Sequence, residues 1–255
     1  MSLFVSHLDF KGLASSSIAS HISAISYIHK MNNWYDPCTS FLIKKLLSAC
    51  FKKKQVCDTR LPITKLVLSK LLYALNFTVD NKYLCKMFKA MFVLAFHAFL
   101  RVGEITVNST KIKNPHNLAL SQIEINEDLK VTFLSFKYSK GLPVVLTIKR
   151  QQCRGICPIY LLQEFLSQRG REEGPLFLTS SGLPVTRHSF ISVLKASLKF
   201  CQLSCDKFKG HSFRIGAATE ASNQGKTDSQ IRQLGRWNSD AFLKYIRSTQ
   251  RRSDL

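Results

Sequence analysis

Two hundred and fifty-five residues, 45% of them hydrophobic, are enough to bury a core and to form one large domain or two small ones, which excludes a disordered chain. Thirty-seven Lys and Arg against sixteen Asp and Glu leave a formal net charge of +21, which points to a polyanionic partner, nucleic acid first and an anionic membrane second. The longest purely apolar run, Ala90 to Phe96, stops at His97 and is too short to span a bilayer; Met1 to Lys11 lacks the charged-then-apolar order of a secretory signal. The chain reads as soluble and intracellular, its eight cysteines as thiols in a reducing compartment.

In chain order, Ser15 to Lys30 is predicted helical, with serines at the N-cap and Ile18, Ile22, Ile25 and Ile28 on one face. Thr39 to Phe51 is a second helix, with Phe41, Leu42, Leu46, Leu47 and Cys50 as its apolar stripe. The stretch KKKQVCDTRLP, Lys52 to Pro62, turns basic and polar and ends in proline, so the domain boundary falls there, with segments 1–58 and 59–255 on either side. Lys52 to Lys54 reads equally as a solvated linker and as a nuclear-import or DNA-contacting run, and receives no role. Two helices follow from Thr64, the second running through MFVLAFHAFLRVGEI, whose apolar length marks the centre of a core; charge returns abruptly at Arg101 and Glu104. Between Leu118 and Ile148 the pattern becomes β: VTFLSF, a YSKG turn and PVVLTI form a hairpin with lysines at its tip. Helices are then expected over Pro158 to Gln168 and Arg187 to Lys199, followed by HSFRIGAATEASNQG, TDSQIRQLG and SDAFLKYIRS, with Thr227 and Ser239 as N-caps and Gly225 and Gly235 as stops. The fold class is mostly α with a small antiparallel sheet, α+β.

His211 and Arg214, at i and i+3, share a helix face, and Tyr245 lies on another predicted helix soon after. A guanidinium offers paired donors to phosphate oxygens, an imidazole shuttles a proton, and a phenol relieved of its proton attacks phosphorus. Together they equip a chain for phosphoryl transfer without a metal. Arg101, directly after a long apolar helix in LRVGE, has a backbone held by the core and supplies a second phosphate clamp.

As a set, LRVGEI with Arg101, HSFRIGAAT with His211 and Arg214, and LGRW followed by YIR with Tyr245 resemble the boxes of the tyrosine recombinases, or phage-type integrases, in order and spacing, over about Leu61 to Ile246. The wording is most similar to eukaryotic branches carried by DIRS-type retroelements and Cryptons. The resemblance implies a site-specific recombinase of a mobile element, acting on double-stranded DNA in the nucleus. It implies that Tyr245 attacks the scissile phosphate to give a 3′-phosphotyrosyl link and a free 5′-hydroxyl, with neither metal, ATP nor other cofactor and no small-molecule substrate. Arg101 and Arg214 would neutralise the non-bridging oxygens, His211 would assist proton transfer, and a hairpin lysine, Lys140 with Lys137 as reserve, would protonate the leaving oxygen. Nine residues before the tyrosine, where many relatives have His, stands Arg236, with Trp237 beside it; Arg236 and the Trp237 indole N–H can each hydrogen-bond phosphate, and Trp237 reads equally as a core residue. The first segment would be part of a helical core-binding domain, closing a clamp on duplex DNA with the catalytic domain, and active protein would assemble as a tetramer on DNA.

With room for only two or three helices before the linker and ten residues after Tyr245, weakened DNA grip and weakened assembly are expected. Two other readings stand beside the recombinase. One is an inactive or domesticated DNA-binding remnant; the other is a type IB topoisomerase-like nicking enzyme working as a monomer. Cys153 with Cys157 and Cys201 with Cys205 have wider gaps than zinc sites use, and Cys201 and Cys205 fit as small residues at a helix end.

Overall fold

A computed structural model describes residues 1–53, 58–109, 116–134 and 143–247. Lys54, Cys57, Lys137 and Lys140 lie outside the described residues. The chain divides into two compact units, Met1–Thr59 and Arg60–Leu255. It is mostly α-helical with one small antiparallel sheet.

The first unit contains α1 (Ser2–Phe10), α2 (Ser15–Met31) and α3 (Phe41–Lys53). Its small core gathers Val5 and Leu8 from α1, Ile18 and Ile22 from α2, and Ile43 and Cys50 from α3. α1 has no counterpart in the sequence reading. Ser15 does not cap α2, because Ala14 holds the N-cap position; its hydroxyl instead donates to the Cys50 carbonyl at 2.8 Å and ties α2 to α3. The stripe expected on α3 also shifts: Phe41 and Leu42 are exposed, while Ile43 is buried. A 13-residue helix against so few neighbours buries one narrow row, and the row follows Ile43, Leu47 and Cys50 at i, i+4 and i+7.

The second unit is built around α5 (Lys82–His97), in which every residue from Ala90 to Phe96 is buried. The side chain of Asn81 accepts from the Leu84 N–H and caps it. α4 (Lys65–Thr78) and α6 (Pro158–Arg169) pack against α5, and α7 (Arg187–Phe200) packs on α4. β1 (Ile123–Ile125), β2 (Leu129–Phe133) and β3 (Val144–Ile148) form a meander in which Val131 pairs with Ile123 on one side and Leu146 on the other. Leu129, Val131 and Phe133 alternate inward along β2, as the two-residue period of a one-sided sheet requires. The β2–β3 hairpin matches the sequence expectation; β1 adds an edge strand too short to read from pattern.

α8 (Ser212–Asn223) crosses this core with Ser212 to Thr219 all buried, and Phe213 meets Phe92 and Phe190 at ring centroids 5.1 and 6.0 Å away. Helix and incoming chain nearly touch: a Cβ on Gly216 would sit 1.9 Å from the Ile63 carbonyl oxygen, so only glycine fits. Leu61 N–H donates to the Lys207 carbonyl at 2.8 Å and Ile63 N–H to that of Ser212 at 3.0 Å. α9 (Asp228–Gly235) starts on a Thr227 capping box, as expected. It does not stop on Gly235. The left-handed residue is Arg236, at φ 54°, while Gly235 is the last helical residue, and it must be glycine because a Cβ there would lie 1.5 Å from the Trp237 ring.

The last described element, Asp240–Tyr245, is a 3₁₀ helix and not the α-helix predicted; Ser239 caps it. Cys201 and Cys205 are half-buried beside the end of α7, their thiols donating to the Lys70 and Lys195 carbonyls. Among the described residues no three His, Cys, Asp or Glu side chains gather as a metal site would need, and no helix is long and apolar enough to cross a membrane.

Candidate active site

Three separate stretches of sequence meet at one place: the turn after α5, the start of α8, and the segment from the end of α9 through the 3₁₀ helix. After α5, Phe99 takes a left-handed φ of 51°, reversing the chain so that Arg101 emerges extended at the head of a short 3₁₀ turn, Val102–Glu104. Glu104 closes that turn on itself. Its carboxylate accepts from the Arg101 N–H at 2.9 Å and from Arg101 Nη1 at 3.2 Å. The Arg101 side chain keeps 30% of its surface exposed, which makes it the most accessible of the three arginines gathered here.

His211 stands at the N-cap position of α8, and Arg214 follows one turn later on the same face. His211 Nε2 lies 2.8 Å from Tyr245 Oη. With the imidazole proton on Nδ1, Nε2 accepts from the phenol, which is the geometry of a base poised on a nucleophile. Tyr245 is held from behind by α8: Thr219 Oγ1 donates to the Tyr245 carbonyl at 3.3 Å and accepts from the Arg247 N–H at 3.1 Å.

Arg214 is fully buried. Its two terminal nitrogens donate to the Phe99 and Gly235 carbonyls, and its guanidinium lies 4.0 Å over the Trp237 ring and 5.9 Å from the centre of the Tyr245 ring. Burial, and then the Arg101 and Arg236 cations, push its pKa down to about 9, so it keeps its charge near neutrality. Among the described residues three guanidinium groups meet one carboxylate here, that of Glu104, and leave the site net positive, the sign that suits a phosphate.

Two further expected site residues lie inward in this structure. Arg236, expected as a phosphate donor, turns inward: its left-handed backbone aims the side chain at Glu104, Nη2 to Oε2 at 2.7 Å, with Nη1 donating to the Ala98 carbonyl at 3.2 Å and the guanidinium 3.7 Å over Phe133. Only 1% of that side chain is exposed. Trp237, which read equally as core and as phosphate donor, is buried in the core. It packs edge-on to Phe99, beside Phe242 and Tyr245, and forms the floor beneath Arg214. The structure thus brings Arg101, His211, Arg214 and Tyr245 together and turns Arg236 and Trp237 into their support. Lys137 and Lys140 fall outside the described residues. Glu104 and Thr219 went unread as site residues, although Arg101-x-x-Glu104 already spaces a carboxylate to reach its own guanidinium.

No protein-family model matches the sequence, and no curated protein matches it. Solved structures do. The chain is similar to the Tn1549 transposon integrase in complex with circular intermediate DNA (TM-score 0.61, 14% identity, 97% of this chain and 80% of that one). It is also similar to the XerA recombinase (TM-score 0.57, 14% identity, 97% and 92%) and to a lambda integrase dimer bound to a COC′ core site (TM-score 0.51, 16% identity, 95% and 67%). Helices gathered around α5, a three-stranded meander and a tyrosine brought back onto the helix that carries His211 and Arg214 are therefore the tyrosine recombinase fold.

Proposed function

We propose that this chain is a DNA strand transferase that breaks and rejoins duplex DNA through Tyr245, working as a site-specific recombinase or integrase. The observation that carries the reading is the 2.8 Å contact between His211 Nε2 and Tyr245 Oη inside a cluster of arginines. In the proposed step the Tyr245 oxygen bonds to phosphorus as the bond to the 5′-oxygen breaks. The phenolic proton passes to His211, and the leaving 5′-oxygen takes a proton from a hairpin lysine, Lys140 or Lys137. The reverse attack by a 5′-hydroxyl releases the tyrosine and rejoins the strand. One phosphate ester is exchanged for another, so no external energy source is required. Arg101 and Arg214 supply the positive field for the five-coordinate phosphorus.

Support for duplex DNA as partner comes from the charge of +21 and from similar folds solved on DNA, including XerH bound to its difH substrate. The nearest kinship we propose, with recombinases of DIRS-type and Crypton-like mobile elements, rests on the wording of HSFRIGAAT and LGRWNSDAFLKYIR, as does a nuclear location. Residues 1–58 are proposed as a partial DNA-binding domain, and assembly as a tetramer on DNA. A second reading, a DNA-binding remnant, draws on the inward engagement of Arg214 and Arg236.

Nicked suicide duplexes, quenched in SDS, test the proposal. A covalent protein–DNA adduct that disappears in Tyr245→Phe is expected. Duplexes that are bound but never captured would replace the recombinase with the remnant; relaxation of supercoiled plasmid by monomeric protein would favour the topoisomerase-like reading.

A further inference from the structure

The buried pairing of Arg236 with Glu104 has the form of an internal counter-ion. Glu104 Oε2 accepts from both the Arg101 N–H and Arg236 Nη2, and Oε1 from Arg101 Nη1, so one carboxylate is shared between two guanidinium groups. The three members differ in accessibility: 30% of the Arg101 side chain is exposed, 8% of Glu104 and 1% of Arg236. Alone with Glu104, Arg101 would have its charge cancelled by its own neighbour. With Arg236 present, one positive charge of the triad is left over, and the exposed member presents it. Arg236 is well placed to stay where it is. The left-handed cap of α9 sets its direction, the Ala98 carbonyl takes Nη1, and Phe133 of β2 covers the guanidinium face at 3.7 Å.

We infer that Arg236 is a positioning residue that does not touch DNA: it neutralises and fixes Glu104, and thereby leaves Arg101 charged and correctly aimed at the scissile phosphate. The inference rests on the recombinase reading and gives a specific job to a residue that stands where a phosphate ligand was expected. A purely architectural role would affect folding alone; this one acts on the chemical step and through Glu104. Effects of Arg236 and Glu104 substitutions on that step must therefore overlap and not multiply.

The test is a double-mutant cycle on full-length protein: wild type, Arg236→Met, Glu104→Gln and the combined variant. Each is measured for single-turnover adduct formation on a nicked suicide duplex, for affinity to the same duplex, and for thermal unfolding. Arg236→Met should slow adduct formation at least tenfold while affinity changes less than twofold. Introduced into Glu104→Gln, the same substitution should slow the reaction less than twofold further, because the carboxylate it serves is already neutral. Should Arg236→Met fail to fold, with Glu104 left short of a counter-ion, the combined variant carries no such orphan charge and its comparison with Glu104→Gln reads the same coupling. A tenfold loss from Arg236→Met in both backgrounds would overturn the inference, and so would adduct formation by Arg236→Met at the wild-type rate. If wild-type protein forms no adduct on DNA that it binds, the recombinase reading and this inference fall together; the other outcomes strike the inference alone.

Discussion

At the scale of single residues, space and charge decide more than helix propensity. Gly235 reads in sequence as a helix stop, yet its constraint is the Trp237 ring 1.5 Å from where a Cβ would lie. Gly235→Ala should therefore destabilise the protein by about 1–3 kcal/mol, as forced overpacking does, with a lowered midpoint in chemical denaturation. His97, at the end of α5, is the reverse case, a polar group half-buried at the edge of the core. Its Nε2 donates to the Ile156 carbonyl at 3.1 Å, and burial pushes its pKa from 6.5 down to about 4. A base whose folded pKa is depressed is protonated more readily in the unfolded chain. Its contribution is complete above pH 6.5 and declines as pH falls toward 4, by up to about 3 kcal/mol over that interval. Denaturation midpoints at pH 7.5 and 5 should diverge in the wild type, and the difference should shrink in His97→Gln. The sequence made His211, Arg214, Arg101 and Tyr245 legible because their spacing and residue types carry chemistry directly. It left Glu104 unassigned, because only its fold neighbours turn an acid beside an arginine into a shared counter-ion.

At the scale of elements, long apolar runs were readable and short or marginal ones were not. α5 declares itself through Ala90 to Phe96, and the β2–β3 hairpin through its β-branched residues. α1 and the 3₁₀ helix at Asp240–Tyr245 did not, since nine and six residues hold too little periodicity to separate one helical form from another. That last element is tied down by Thr219, which bonds the Tyr245 carbonyl and the Arg247 N–H. Thr219→Val keeps the shape and loses both bonds. It should slow adduct formation by up to about thirtyfold, at about 1 kcal/mol for each of the two lost bonds, while DNA affinity measured by gel shift stays within twofold. α9 depends on its cap in the same way. Thr227→Ala removes the acceptor of the Gln230 N–H and should lower stability by about 1 kcal/mol, read as a drop in melting temperature.

For the molecule as a whole, charge is uneven along the chain. The first unit carries seven lysines, no arginine and three aspartates, so most of the excess of +21 belongs to the second. If phosphate contacts dominate binding, affinity for a non-specific duplex should fall by about 10³ to 10⁵ between 50 and 200 mM salt, for six to ten contacts. Titrations by fluorescence anisotropy across that range check it, and a flat response would argue against an extended backbone footprint. The fold class was legible in the sequence because the long helical patterns and the one β-rich stretch follow each other along the chain. Which arginines face outward was beyond it, since burial is decided by residues a hundred or more positions away, as Arg236 and Ala98 illustrate.

The contact between Gly216 and Ile63 has a mechanical side. Residues 61 and 63 are stitched by backbone bonds to Lys207 and Ser212, on either side of His211, before the chain enters α4. The thread by which the second unit begins is thus sewn into the hem of the helix that carries His211 and the buried Arg214. Load drawn along residues 58–63 passes at Leu61 into the chain just ahead of that helix and at Ile63 into its first residue, on either side of the partner of Tyr245.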